Sequence, residues 1–353
     1  MGRSFDIANL FRAFGGDPHR YHEFELPEPL PASIPPLAPE QTDELPALAD
    51  TDTLGAAAAA SPSVSAELPT LARELAQQDS ARQAEKAVAA LDQALNRVQP
   101  AWSASVLAVI SSRGGTGKTV VAAGLAQTLA RRGQKVLLVE LDAQNVLAAL
   151  LQPEVAAVAD ATQTPLASCL PVTEQLQLLP FGVLDEIDLL AMEQSLLVDP
   201  HWLARRLASL DIAGDTLVIL DCPTGSTPLG RQALALATQV LGVTTADAAG
   251  YASLARLERQ LQGCAGHARS AHLLNRIDPT RPLTQDIATI VARSWGERLL
   301  GALPESPALE RALAAGQGLH GLQDAWATAL GELAGRLLTD TASFAPRYMQ
   351  SLP

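Results

Sequence analysis

The sequence predicts an α/β fold, a mostly parallel sheet with helices on both faces. Three observations predict it. From about residue 104, strand-like apolar runs alternate with helical stretches. The runs VLAVI, KVLLVE and TLVIL are apolar throughout, as strands covered on both faces require. Between the first run and the first helix stands Gly114-Gly115-Thr116-Gly117-Lys118-Thr119, a glycine-rich turn that opens a helix.

In chain order, strands are expected at Val106–Ser111, Lys135–Glu140, Gln175–Pro180 and Thr216–Leu220, then at Gln239–Thr244, Ala271–Leu274 and Glu297–Gly301. Helices are expected at Lys118–Arg132, Asn145–Leu151, His201–Leu210, Arg231–Ala237, Ala252–Gly263 and Gln285–Trp295. This body spans 104–338, and 339–353 reads as a tail with two prolines and no sustained apolar face.

Three segments precede the body. In 1–26, Ile7, Leu10, Phe11 and Phe14 share one face of a short helix, with Ser4 as N-cap and Gly15-Gly16 as its end. Tyr21 and Phe24 follow, and the segment reads as a docking motif for the chain's own body or a partner. Residues 27–68 read as a disordered linker: from 21 to 70 there are nine Pro, nine acidic residues and no Lys or Arg. Residues 69–98 read as a helix ending before Pro100.

The chain has 353 residues and a net charge of −13, and its only lysines are Lys86, Lys118 and Lys135. Such acidity disfavours nonspecific nucleic-acid binding. Cys169, Cys222 and Cys264 have no ligand-like spacing, which fits a reducing cytoplasm. No apolar run reaches about 18 residues, so no membrane insertion is expected. The N-terminus lacks the apolar core of a secretion signal.

The glycine-rich turn carries the strongest chemical signal. Glycines let backbone amides approach phosphate oxygens, and the helix N-terminus favours an anion. Gly114, Gly115, Thr116, Gly117, Lys118, Thr119 and Val120 therefore form the candidate nucleotide loop. Lys118 is placed on the β- and γ-phosphates, and Thr119 on Mg²⁺.

Arg113-Gly-Gly-x-Gly-Lys-Thr resembles the deviant Walker A motif of the MinD/ParA family of SIMIBI-type P-loop proteins, with Arg113 where that family has its signature lysine. The resemblance implies ATP, Mg²⁺ and a nucleotide-sandwich homodimer, with Arg113 reaching the partner's nucleotide. Val139-Glu140-Leu141-Asp142-Ala143-Gln144 resembles the family's V-D-x-D-x-Q, which implies that Asp142 orients the attacking water and Glu140 stands near Mg²⁺. Leu217–Pro223, LVILDCP, resembles a Walker B strand, which implies that Asp221 holds Mg²⁺ through water and Gly225 belongs to a second switch. Leu273-Leu274-Asn275-Arg276 and Leu303-Pro304 resemble base-flanking segments, which places Asn275 and Pro304 at the adenine.

Two stretches resemble one branch of that family, the accessory ATPases (Q subunits) of bacterial cellulose synthesis. They are Leu178-Leu179-Pro180-Phe181-Gly182 and Val243 to Leu254, VTTADAAGYASL, within a resemblance covering roughly 104–335. The pattern Asp6-Ile7-x-x-Leu10-x-x-x-Phe14, then Tyr21-x-x-Phe24, resembles the small R subunit of the same operons. The resemblance implies a weak ATPase that acts as a switch, bound to cellulose synthase subunits and recruited through them to the inner membrane. An ATP-locked scaffold that does not hydrolyse, and a positioning ATPase for another cargo, are the alternatives.

Overall fold

Parallel strands with apolar side chains on both faces must be covered on both faces, and the eight-stranded sheet is. The computed structural model describes residues 103–151, 164–262 and 269–342, with single positions in 82–95 and 155–159. The segments 1–26 and 27–68, most of 69–98 and the tail beyond 342 lie outside the described residues. The chain divides into two units, Met1–Gln83 and Ala84–Pro353; of the first, only Arg82 is described, as an exposed helical residue.

The second unit begins with helical positions among 86–95 and then runs through β1 (Ser105–Ile110), α1 (Lys118–Arg131), β2 (Val136–Glu140) and α2 (Leu147–Leu151). Next come β3 (Leu170–Pro171), β4 (Leu176–Leu179), α3 (Glu186–Val198), α4 (Trp202–Ala208), β5 (Leu217–Asp221) and α5 (Pro228–Leu236). Then follow β6 (Gln239–Thr245), α6 (Ala248–Gln262), β7 (Arg269–Ile277), α7 (Pro282–Trp295), β8 (Leu299–Pro304), α8 (Pro307–Ala314) and α9 (Ala325–Ala342). The strand order is β3-β4-β2-β5-β1-β6-β7-β8, and only the short β3 runs antiparallel to its neighbour.

Alternation along each strand divides the core in two. Val106, Ala108 and Ile110 join Leu137, Val139, Val218 and Leu220 on one face. Leu107 and Val109 join Val136, Leu138 and Ile219 on the other, beneath Val121, Leu125 and Leu129 of α1. Each fully buried leucine contributes about 1.5–3 kcal/mol before ordering costs. Helix α9 covers α1 at Gly124, where a Cβ would lie 2.6 Å from Leu330 and 2.8 Å from Trp326. Leu91 and Leu95, one helical turn apart, are buried in the first of these cores. The described turn at 91–95, within the segment read as 69–98, therefore packs onto the body.

The seven expected strands are present, with ends moved by at most three residues. Among the described residues, helices α3, α8 and α9 lie outside the expected set. Helix α9 carries the body to Ala342, past the expected end at 338. Helix α3 packs Leu189, Met192, Leu196 and Leu197 on the first core, while Ile187, Leu190 and Val198 are exposed, so its apolar residues run around the helix rather than along one stripe.

Candidate functional site

The strand order creates the site. β1 continues through α1 to β2 on one side of the sheet, whereas β5 continues through α5 to β6 on the other. Loops diverging at the carboxyl ends of β1 and β5 leave a crevice there, the common ligand position in such sheets. Register places Val109 opposite Asp221 and Glu140 opposite Asp221. The ends of three central strands thus deliver Asp221, Glu140 and the glycine-rich loop to one place.

The loop has the backbone its glycines allow. Gly115 and Gly117 have φ of +77° and +81°, which other residues adopt only under strain. No side chain caps α1, so its first amides and its dipole face the loop. Asn275, at the end of β7, donates from Nδ2 to the Thr116 carbonyl at 2.8 Å and lies against Gly117. Its Oδ1 is buried without a partner.

Lys118 is buried, and its Nζ lies 2.6 Å from Asp221 Oδ1 and 3.2 Å from Thr119 Oγ1. Burial pushes the Asp221 carboxyl above its ordinary range, and Lys118 opposes that push. Asp221 Oδ2 is buried without a partner, as is Oε2 of Glu140. An all-oxygen set of Thr119, Asp221 and Glu140 has the hard-donor chemistry that Mg²⁺ takes, and the two orphaned oxygens fit it.

Glu140 also makes contacts that its sequence position did not announce. Its Oε1 accepts from the Val146 and Leu147 amides at 2.5 and 2.9 Å, at the start of α2. Burial raises its pKa to about 8, with the Leu147 amide opposing and the Asp221 charge adding to the rise.

Asp142 is half-buried in the loop after β2. Its Oδ1 accepts from the Gln144 amide at 3.2 Å, and its carbonyl from the Asn145 amide at 3.2 Å. Asn145 has a positive φ of 50° and accepts from the Gly182 amide through Oδ1 at 3.1 Å. The Leu178–Gly182 motif therefore holds the Asp142 loop through Asn145, a residue the sequence reading did not single out. A cavity of about 360 Å³ opens beside this loop, lined by Gly114, Asp142, Met192, Leu196, Pro223 and Thr224. Gly225, with φ of +84°, donates to the Ser111 carbonyl at 3.3 Å and ties the turn after β5 to the glycine-rich loop. Pro304 ends β8 opposite Ile277, one strand out from Asn275. Cys222 is buried core material.

Arg113 is engaged within its own chain. Its Nη2 donates to Thr245 Oγ1 and Asp247 Oδ2, both at 2.9 Å. Burial pushes the Asp247 carboxyl up. The Gly250 amide, the Thr245 hydroxyl and the Arg113 charge outweigh burial and hold it below the usual carboxylate range.

The sequence model of the family described as cellulose biosynthesis protein BcsQ matches residues 104–335. The chain belongs to the BcsQ family. The match begins just before β1 and ends within α9, so it takes in every site residue named above. Solved structures with the same fold include a plasmid partition protein of Borrelia burgdorferi bound to AMPPNP. It is 18% identical over 67% of this chain and 99% of that one, with a TM-score of 0.57. Cobyrinic acid a,c-diamide synthase of Mycobacterium smegmatis, with a bound ATP analogue and magnesium, is 25% identical over 68% and 96%, at 0.53. The cell division ATPase MinD of Pyrococcus furiosus is 25% identical over 67% and 98%, at 0.50. A replication protein A of Rhizobium rhizogenes is 53% identical over 51 residues, a stretch that spans 14% of this chain and 13% of that protein. The BcsQ body is thus a ParA/MinD-type P-loop fold. Among the described residues, no helix is long and apolar enough to cross a membrane.

Proposed function

We propose that the protein is an ATP-binding, slowly hydrolysing regulatory subunit of the bacterial cellulose synthase complex, and that it works as a nucleotide-sandwich homodimer. The observation that carries this reading is the buried Lys118–Asp221 pair at the uncapped start of α1. A buried lysine beside backbone amides that no side chain caps is poised for a phosphate, because the phosphate replaces the charge partner that Asp221 supplies.

In this reading the loop amides of Gly114 to Val120 and Lys118 hold the phosphates. Thr119 and Asp221 hold Mg²⁺, with Glu140 Oε2 beside it. Mg²⁺ neutralises charge on the phosphate oxygens when bound. Asp142 orients the attacking water, and Arg113 contributes charge across the dimer. Asn275 offers its Oδ1 to the base, with Pro304 flanking it. The AMPPNP and magnesium complexes of the structural relatives support ATP and Mg²⁺ as the ligands.

Helix α3 supports a partner-binding role. Ile187, Leu190 and Val198 are exposed at 78%, 57% and 82%, and α3 also lines the cavity beside Asp142. Residues 1–26 carry docking to a synthase partner in this reading, and recruitment to the inner membrane is indirect. A purely ATP-locked scaffold is the second reading, favoured by the engagement of Arg113 within its own chain. Turnover of ATP with Mg²⁺, measured beside molecular mass with ATP, with ADP and without nucleotide, tests both. Unchanged mass in all three states overturns the dimer. Nucleotide-dependent mass without turnover selects the scaffold.

A further inference from the structure

We infer that Asp247, together with Thr245, is a positioning device for Arg113: a latch that holds the guanidinium within its own chain until a neighbouring copy's phosphate takes its place. The inference rests on the sandwich-dimer reading above and adds a residue and a cost to it.

The latch is a closed set of contacts at the turn between β6 and α6. Thr245 Oγ1 accepts from Arg113 and donates to Asp247 Oδ2 at 2.8 Å, while Arg113 Nη2 also reaches that oxygen directly. The other carboxylate oxygen, Oδ1, accepts from the Gly250 amide at 2.6 Å and caps the start of α6. Gly250 is what permits this tight turn, since a Cβ there would lie 2.0 Å from the Thr245 carbonyl. The carboxylate is therefore fixed by the backbone, and Arg113 is the movable partner. Arg113 retains unused donor capacity, since its Nε is buried without a partner.

The Arg113 and Asp247 side chains are 32% and 51% exposed, so water and salt weaken the pair. A phosphate is a stronger partner for a guanidinium, because it accepts bidentate, charge-assisted bonds. Closing a sandwich dimer exchanges two such ion pairs for two phosphate contacts. The latch thus raises the cost of closure when the phosphate is missing and suppresses dimers without ATP. Both latch contacts come from the single nitrogen Nη2, which leaves Nε of the guanidinium fork for the phosphate.

The test uses the full chain and Asp247→Asn, which keeps an acceptor for the Gly250 amide and removes the charge. The first measurement is phenylglyoxal labelling of Arg113 without nucleotide, located by peptide mass. Asp247→Asn should label several-fold faster than wild type, and equal rates overturn the latch. The second is the dimer dissociation constant with the slowly hydrolysed analogue ATPγS. Asp247→Asn should tighten it roughly tenfold, since two partly exposed ion pairs open per dimer, while ATPγS affinity of the monomer stays the same. The gain should vanish in an Arg113→Ala background. The same gain in that background assigns the effect to the α6 cap and overturns the inference, as does a weakened dimer. Wild-type protein of one mass with and without ATPγS overturns the dimer reading and the exchange with it. Labelling alone still decides whether Asp247 restrains Arg113.

Discussion

Lys118 Nζ and Asp221 Oδ1 lie 2.6 Å apart at the ends of α1 and β5, with side chains only 5% and 0% exposed. Neither group finds water there, so each makes the other tolerable.

Removing one member leaves a buried charge alone. Lys118→Ala should cost about 3–5 kcal/mol of stability without any nucleotide, and ATP binding should be lost as well. Urea unfolding and calorimetric titration measure the two effects. Adding Asp221→Asn to Lys118→Ala should restore part of the stability but none of the ATP affinity. Unchanged ATP affinity in Lys118→Ala removes the P-loop assignment.

Gly117→Ala tests the loop itself. The residue has φ of +81°, and a Cβ there would lie 2.4 Å from Asn275 Nδ2. Left-handed backbone alone costs a non-glycine residue about 1–2 kcal/mol, so ATP affinity should fall at least about tenfold. Asn275→Ala, which removes the obstructing side chain, should recover part of that loss in the double variant. Titration of ATP into the four proteins reads this coupling.

Asp142→Ala separates binding from chemistry. Water positioning matters only in the transition state, so turnover should drop by about 10²-fold or more with ATP affinity kept. The ATP-bound dimer should then accumulate in sizing by light scattering. Loss of binding would show that Asp142 holds the ligand instead.

His272 supplies a pH test away from the site. It is fully buried and stacked on Trp295 with ring centroids 4.0 Å apart, with Glu258 Oε1 3.5 Å from Nε2 and Arg298 bound to Glu258. Burial lowers its pKa from 6.5 to about 4, with the Glu258 charge opposing and the Arg298 charge assisting. The folded value lies below the unfolded one, so between these pH values the unfolded chain binds more protons. Its contribution is fully present above pH 6.5 and is lost as pH falls toward about 4, by about 3 kcal/mol in all. His272→Phe keeps a ring on Trp295 and should flatten this part of the stability profile. An equally steep profile in the variant assigns the acid sensitivity to other groups.

The sheet, the loop and the strand-end positions of the candidate carboxylates were legible in the chain because each is a local signal. Apolar runs such as VLAVI write buried strands, and glycines before Lys118 and Thr119 write a phosphate turn. Helix α8 also had a readable start in Ser306-Pro307, with Ser306 Oγ accepting from the Leu309 amide at 2.9 Å. Helix α3 was harder to read, since apolar residues on its exposed side blur the period.

By itself, the sequence determined the seven expected strands and six of the helices, where the glycine-rich loop falls, and which charged groups sit at strand ends. Only the tertiary structure decided their partners. Strand order put Glu140 and Asp221 on neighbouring strands, 81 positions apart in the chain, and desolvation there raised both carboxyls. Packing of β7 put Asn275 against Thr116, and the β6–α6 turn put Asp247 against Arg113. Periodicity and turn chemistry are properties of a few neighbouring residues. Desolvation and ion pairing depend on distances between segments that only the folded sheet brings together.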